Sequence, residues 1–306
     1  MKIFLFHRIN PERDPLWDPI DPEVFEKQIR YLKKKYHLVL LEDYLLNKKH
    51  FNKRHHKVAS IVFDDGYKDF LEYAYPILKK YEIPASMYLV TQSIDENTPI
   101  WTYTVDYLFQ HTKINTLNFQ KGKNLGFSDL VWSTNSERLN FAKLFKPQLK
   151  GLEDKKRRLI IEDLLINFSD VTLPQNLYLS WDDIRQLKID GVEFGSHTVS
   201  HPMLGNIKDI NVLKHELSYS RLRIKDELGS FPKTISYPIG SYNELVKKEA
   251  ENAGYRLGLV VNQEVYTPDE NSVFEIPRIE FYNESMFKTK LRANEIVTKI
   301  KRAIRK

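Results

Sequence analysis

Val58-Ala59-Ser60-Ile61-Val62-Phe63-Asp64-Asp65-Gly66 is an apolar run that leads directly into two adjacent carboxylates and a glycine. Such a run suits a buried strand, and Asp and Gly are the residues that turn a chain at a strand's end. The pattern repeats outward from it. Apolar periodicity predicts strands over 2–6, 58–63, 85–90, 192–195, 234–237 and 256–261, with helical spacing over 22–36, 69–81, 210–228 and 244–252 between them. Strands alternating with helices imply a parallel sheet covered by helices, an α/β fold, and 306 residues suit a barrel of the (β/α) type. The rhythm breaks between about 93 and 179. There, 116–119 and 124–127 look like a hairpin and 136–149 and 153–167 look helical, so the segment reads as an α+β insertion in one domain spanning 1–306. A final amphipathic helix is expected over 284–305.

Composition narrows the chemistry. With 42% hydrophobic and 29% charged residues the chain has ordinary globular usage, which argues against disorder. The absence of cysteine excludes disulfides, thiolate zinc sites and a cysteine nucleophile, so any metal must bind through His, Asp or Glu. No stretch approaches the ~18 apolar residues of a membrane span, and the chain reads as cytoplasmic. The formal charge is +6, but eight basic residues and one acid fall within 287–306, leaving the rest near neutral. A basic groove for nucleic acid is not expected. The basic helix could touch an anionic membrane surface peripherally, or pack on the body with its lysines solvated.

Three segments carry the chemistry, each at a predicted strand end, where parallel sheets build their sites. Asp64-Asp65-Gly66 is the first, although Asp-Asp-Gly is also ordinary turn chemistry. The second is His197-Thr198-Val199-Ser200-His201. Two imidazoles at this spacing can share a metal ion, and surface histidines at this spacing are also common. One carboxylate and two histidines would make a three-ligand site with open positions, the arrangement of a catalytic metal. Zinc suits it foremost, with cobalt, nickel and iron also compatible. The third is Ser236-Tyr237-Pro238-Ile239-Gly240-Ser241-Tyr242, whose Pro-x-Gly turn can aim backbone N–H groups at an oxyanion. Among the aromatic residues, Trp17, Trp101, Tyr103, Trp132, Tyr237 and Tyr242 could stack on sugar faces, with Tyr237 and Tyr242 closest to a strand end.

In this order and spacing, Phe63-Asp64-Asp65-Gly66, His197–His201 and Tyr237-Pro238-Ile239-Gly240 resemble the three motifs of the polysaccharide deacetylase family, also called NodB-homology or carbohydrate esterase family 4. Leu179-Ser180-Trp181-Asp182-Asp183, ahead of the histidine motif, is similar to the family's lead-in segment. The resemblance implies a distorted (β/α)7-type barrel that binds one divalent metal ion through Asp65, His197 and His201. It also implies Asp64 as general base, an oxyanion donor at the Ile239 N–H, and Tyr237, Pro238 and Tyr242 against substrate. The family's usual late Leu-His segment does not follow Val261. Leu5-Phe6-His7-Arg8-Ile9 instead resembles the opening of circularly permuted members, which makes His7 the general acid. The Arg that usually orients the base is absent, its position being Ser236, and Arg278 in Ile276-Pro277-Arg278-Ile279 is the candidate substitute.

The implied activity is removal of an N-acetyl group from an amino sugar of a poly- or oligosaccharide or glycan precursor, in bacterial surface-polysaccharide metabolism, since the insertion, with Trp101 and Asp106 near its start, resembles one found in such deacetylases. The same machinery would also serve a small N-acyl, N-formyl or O-acetyl compound. A non-catalytic carbohydrate-binding protein of the same fold would need neither metal nor base.

Overall fold

Alternate residues of a strand face opposite sides, and in the computed structural model, which describes residues 1–47, 57–267 and 272–294, that alternation closes a barrel. The strands are β1 (Lys2–Phe6), β2 (His37–Leu38), β3 (Val58–Phe63), β4 (Ala85–Leu89), β5 (Thr116–Leu117), β6 (Leu130–Val131), β7 (Glu193–Ser196), β8 (Thr234–Ser236), β9 (Leu257–Val261) and β10 (Ile276–Glu280). Seven of them pair in parallel in the order β1-β10-β9-β8-β7-β4-β3, and β3 returns to β1. The short β2 pairs with the start of β3.

Ile3, Leu5, Val62, Tyr88, Leu257, Leu259 and Ile276 form one buried cluster that fills the barrel. Their strand neighbours Phe4, Phe6, Ile61, Phe63, Met87 and Leu89 point outward into the cluster shared with the helices. Gly195 serves this interior, since a Cβ there would overlap the Tyr88 ring. The helices are α1 (Pro22–Lys35), α2 (Leu41–Leu46), α3 (Tyr75–Lys80), α4 (Thr91–Glu96), α5 (Trp101–His111), α6 (Asn135–Lys150), α7 (Asp154–Asn167), α8 (Trp181–Ile189), α9 (Ile210–Leu228), α10 (Glu244–Asn252) and α11 (Met286–Ala293). The first shows why they form. Asp21 caps it, Pro22 starts it, three lysines close it, and Phe25, Ile29 and Leu32 bury one stripe.

The predicted hairpin needs correction. Thr116–Leu117 pairs with Leu130–Val131, and 122–125 is a single 3₁₀ turn. The cause is side-chain capture of the backbone: the Asp163 carboxylate accepts N–H bonds from Gln120, Lys121 and Gly122, and Asp129 accepts one from Phe119. The barrel strand β10 also escaped prediction, because Pro277 lies inside it and a proline argues against a strand interior. Pairing with β1 begins only beyond it, at Ile279. Of the expected C-terminal helix, α11 is described, and it buries Thr289 and Ala293. Residues 295–306 lie outside the described residues. No helix among the described residues is long and apolar enough to cross a membrane.

At the amino-terminal mouth of the barrel Glu193 and Glu42 meet. Ser86 donates to Glu193 at 2.7 Å, the Glu42 N–H faces the same carboxylate, and Thr234 donates to Glu42 at 2.8 Å. Burial, then the neighbouring Glu42 charge, pushes the Glu193 carboxyl up to about 8. A carboxyl raised in the folded state stabilises fully below its unfolded pKa, and that contribution is lost as pH rises through the folded one. The melting temperature is therefore expected to fall between pH 5 and 9. Glu193→Gln should flatten that slope and melt higher than the parent at pH 9. Parallel thermal profiles for the two proteins would refute the assignment.

Candidate active site

The site lies at the opposite mouth, where the carboxyl ends of the strands converge. Asp64 and Asp65 follow β3, the His197–His201 turn follows β7, Ile239 follows β8 and His7 follows β1, while Arg278 and Glu280 sit in β10. Asp64, Asp65, His7, His197, His201 and Ile239 all line one cleft of about 330 Å³, at the small end of the ~300–1,000 Å³ usual for small-ligand sites.

Within it, Asp65, His197 and His201 bring one ligand atom each to within 4.8 Å of one another. Nε2 of His197 and of His201 lie 3.3 and 3.5 Å from Asp65 Oδ1. Ligands ~2.0–2.1 Å from a tetrahedrally bound zinc ion would stand about 3.3 Å apart, so these two spacings fit. So does the chemistry. Asp65 Oδ1 is buried with no hydrogen-bond partner, a costly state unless a cation satisfies it. His197 Nδ1–H donates to the Ser236 carbonyl at 2.7 Å, which turns the lone pair of Nε2 toward Asp65. Burial pushes His201 down to about 3, keeping it in the neutral form that binds metals.

Asp64 is left free for another task. Arg278 Nη1 donates to its Oδ1 at 2.8 Å and the Ser236 hydroxyl to its Oδ2 at 3.0 Å. Burial alone would raise the Asp64 carboxyl, but the Arg278 charge, aided by His197, outweighs it and holds the group well below the usual carboxylate range. Ser236 thus occupies the position where an arginine was expected, and both it and Arg278 grip the carboxylate. His7 is the next element of the cleft, its Nδ1 3.4 Å from Glu280 and its ring edge-on to Trp17.

The backbone here is strained. Asp65, Thr198, His201 and Ile239 all have positive φ, between 57° and 75°, conformations that cost on the order of 1–3 kcal/mol each for residues other than glycine. At Ile239 the turn bonds run from Gly240 to Tyr237 and from Ser241 to Pro238, which leaves the Ile239 N–H outside them. The histidine turn is held by Glu216 from α9. One of its oxygens accepts the Val199 and Ser200 N–H groups at 2.9 and 3.0 Å, the other the Ser200 hydroxyl at 2.6 Å. Sequence reasoning missed Glu216, whose only signal was an acid on the buried face of a helix. Glu216→Leu removes all three acceptor contacts from the turn. It is expected to weaken metal affinity roughly 10–100-fold, as loss of an orienting partner does, with the helical circular-dichroism signal kept. Chelator competition measures this, and unchanged affinity would show that the clamp is idle.

Not every expected residue reaches the cleft. Ser236 points inward, so Tyr237 must point outward. It is fully buried in the cluster under α9 and α10, stacked on Tyr242 at 5.4 Å, in a space open because a Cβ on Gly258 would overlap its hydroxyl. Tyr237, Pro238 and Tyr242 are not among the residues that line the cleft. Trp17 does line it. Trp101, Tyr103 and Trp132 are buried, and the Trp101 indole N–H donates to the His201 carbonyl at 3.1 Å. Sequence analysis did not foresee Lys146 and Lys150. The insertion sends both, with Thr102 and Asp106, to the cleft's rim, and its own core packs against Ile239.

Residues 51–258 match the family model described as polysaccharide deacetylase. That span begins after His7 and ends before Arg278. A curated relative in Bacillus subtilis (strain 168), named "Putative polysaccharide deacetylase YxkH", is 20% identical over 214 residues, covering 70% of this chain and 48% of its own. The chain therefore spans about half the length of that relative. Among solved structures, Streptococcus pyogenes deacetylase PplD in complex with acetate superposes with a TM-score of 0.63 at 19% identity, covering 95% of this chain and 96% of that one. A de-N-acetylase from Aggregatibacter actinomycetemcomitans gives 0.62 at 18% identity, with 94% and 97% covered. At these identities the likeness is one of fold.

Proposed function

The chain belongs to the polysaccharide deacetylase family, and from that premise we propose that it is a metal-dependent hydrolase that removes the N-acetyl group from an amino sugar of a glycan or glycan precursor, in bacterial surface-polysaccharide metabolism. Asp65, His197 and His201 would hold one divalent cation, zinc foremost. Such an ion supplies Lewis acidity to the acyl carbonyl and to the attacking water.

The remaining work falls to side chains and backbone of this protein. Asp64, kept anionic by Arg278 and Ser236, takes a proton from the water as its oxygen bonds to the carbonyl carbon. The Ile239 N–H donates to the oxygen that becomes negative. His7, beside Glu280, gives a proton to the nitrogen as the C–N bond breaks, leaving acetate and the free amine. The observation that carries this reading is the second carboxylate: Asp64 stands next to the three candidate ligands yet is committed to Arg278, so it serves as base rather than ligand.

The test is to strip the protein with a chelator, add back single divalent metals, and follow acetate and free amine from acetylated chito-oligosaccharides. We expect about one metal ion per chain and equal amounts of the two products. Acetate from O-acetyl esters with no amine from any N-acetyl sugar would shift the activity to esterase. Metal-loaded protein that releases neither would sink the reading.

A further inference from the structure

Every acid in the cleft has a use except that one cation is left over. Asp64 is neutralised by Arg278, Asp65 belongs to the candidate metal triad, and the Glu280 carboxylate lies against His7. On the insertion, Lys146 and Lys150 stand one helical turn apart on α6, so both reach the same side. Lys146 is paired with the buried Asp106 carboxylate. Lys150 lines the cleft, and among the described residues no carboxylate comes within ion-pair distance of its ammonium group. Its backbone is fixed all the same: the Lys150 carbonyl accepts the Asn206 side-chain amide at 2.9 Å, which ties the end of α6 to the loop after the histidine turn.

An unpaired ammonium half-sunk in a cleft loses hydration without a partner, which is unfavourable unless a ligand supplies the counter-charge. A divalent cation in the triad would add further positive charge to the same cleft. We propose that Lys150 is a specificity-determining residue that binds an anionic group, a phosphate or a carboxylate, on the acetylated amino sugar. The inference rests on the deacetylase reading for the sugar, and on Lys150 and its surroundings for the charge. Burial, then the adjacent Lys146, lower the Lys150 pKa and outweigh the Asp106 and Glu280 charges that raise it, so an anion in direct contact restores stabilisation of its charged form. The preferred substrate is then a sugar phosphate, as in nucleotide- or lipid-linked intermediates, or a sugar next to a uronic acid, rather than a neutral homopolymer.

The test compares three compounds on metal-loaded full chain: N-acetylglucosamine 1-phosphate, an N-acetylhexosamine–uronate disaccharide, and the neutral methyl glycoside of N-acetylglucosamine. At low salt, one anionic compound should exceed the neutral one in kcat/KM, chiefly through KM. Lys150→Gln should cut that preference roughly 10–100-fold, the worth of a charge-assisted hydrogen bond, and Lys150→Arg should keep most of it. Whichever anionic compound responds distinguishes phosphate from carboxylate. Calorimetric binding of the same three compounds reads the preference independently of turnover. Equal handling of charged and neutral compounds, or a preference that Lys150→Gln leaves intact, overturns the inference even while deacetylation of the methyl glycoside stands. Loss of turnover on all three with the binding preference preserved would instead strike the deacetylase reading and leave the anion site.

Discussion

Asp64→Asn is expected to lower kcat for acetate release by about 10²–10⁴-fold, the usual worth of a positioned general base, while the metal content stays at the parent's value. Asn keeps the shape and can still meet the Ser236 hydroxyl, but it cannot take a proton. Its carbonyl oxygen is a poor match for the Arg278 charge that the carboxylate now neutralises at 2.8 Å. The variant will therefore also melt at a lower temperature, so metal stoichiometry and substrate affinity must be measured beside the rate. Bound metal, little change in KM and a collapsed kcat together identify the base. Near-normal turnover would eliminate Asp64 from the role. Loss of metal together with activity would move Asp64 into the ligand set, at odds with the bonds that Arg278 and Ser236 make to its two oxygens.

Much of this site was legible before any coordinates because its residues follow strands, and strands announce themselves by apolar runs. Phe63-Asp64-Asp65 and Gly195-Ser196-His197 each stand where a buried run meets polar residues, and both deliver candidate ligands to the cleft. What stayed hidden depends on the direction of single side chains or on long-range partners. Tyr237 follows a strand end as closely as Asp64 follows its own, yet it faces the helices because Ser236, one residue earlier, faces inward. The hairpin went astray because Asp163, more than 40 residues away in sequence, holds the 120–122 backbone. Lys146 falls within the expected 136–149 helix and Lys150 just past its end, and neither position carries a signal for the site. Only the docking of the insertion beside the barrel mouth turns them to the cleft.

The second large effect concerns Arg278, whose match to an arginine missing from the third motif is made by space rather than by sequence order. The guanidinium is fully buried and donates to Asp64 and to the Val260 carbonyl. Arg278→Met should destabilise the protein by about 3–5 kcal/mol, because removing one partner of a buried pair strands the other's charge. Denaturant midpoints in chelator-containing buffer measure it without a contribution from bound metal. With burial no longer opposed by the guanidinium, the Asp64 carboxyl rises. The parent's depressed Asp64 contributes stability above its unfolded pKa and loses it as pH falls. The gap between parent and Arg278→Met should accordingly be widest near neutrality and narrow toward pH 3, and the acid limb of the activity profile should move to higher pH. A double variant, Asp64→Asn with Arg278→Met, removes both charges and should recover much of the stability while recovering no turnover, so the two stability losses are strongly non-additive, and Arg278→Met costs little further rate once the base is gone. If instead the two stability losses add to within ~0.5 kcal/mol, as independent sites do, Arg278 is not the group that keeps Asp64 ionised, and the base must owe its charge to Ser236 and the histidines alone.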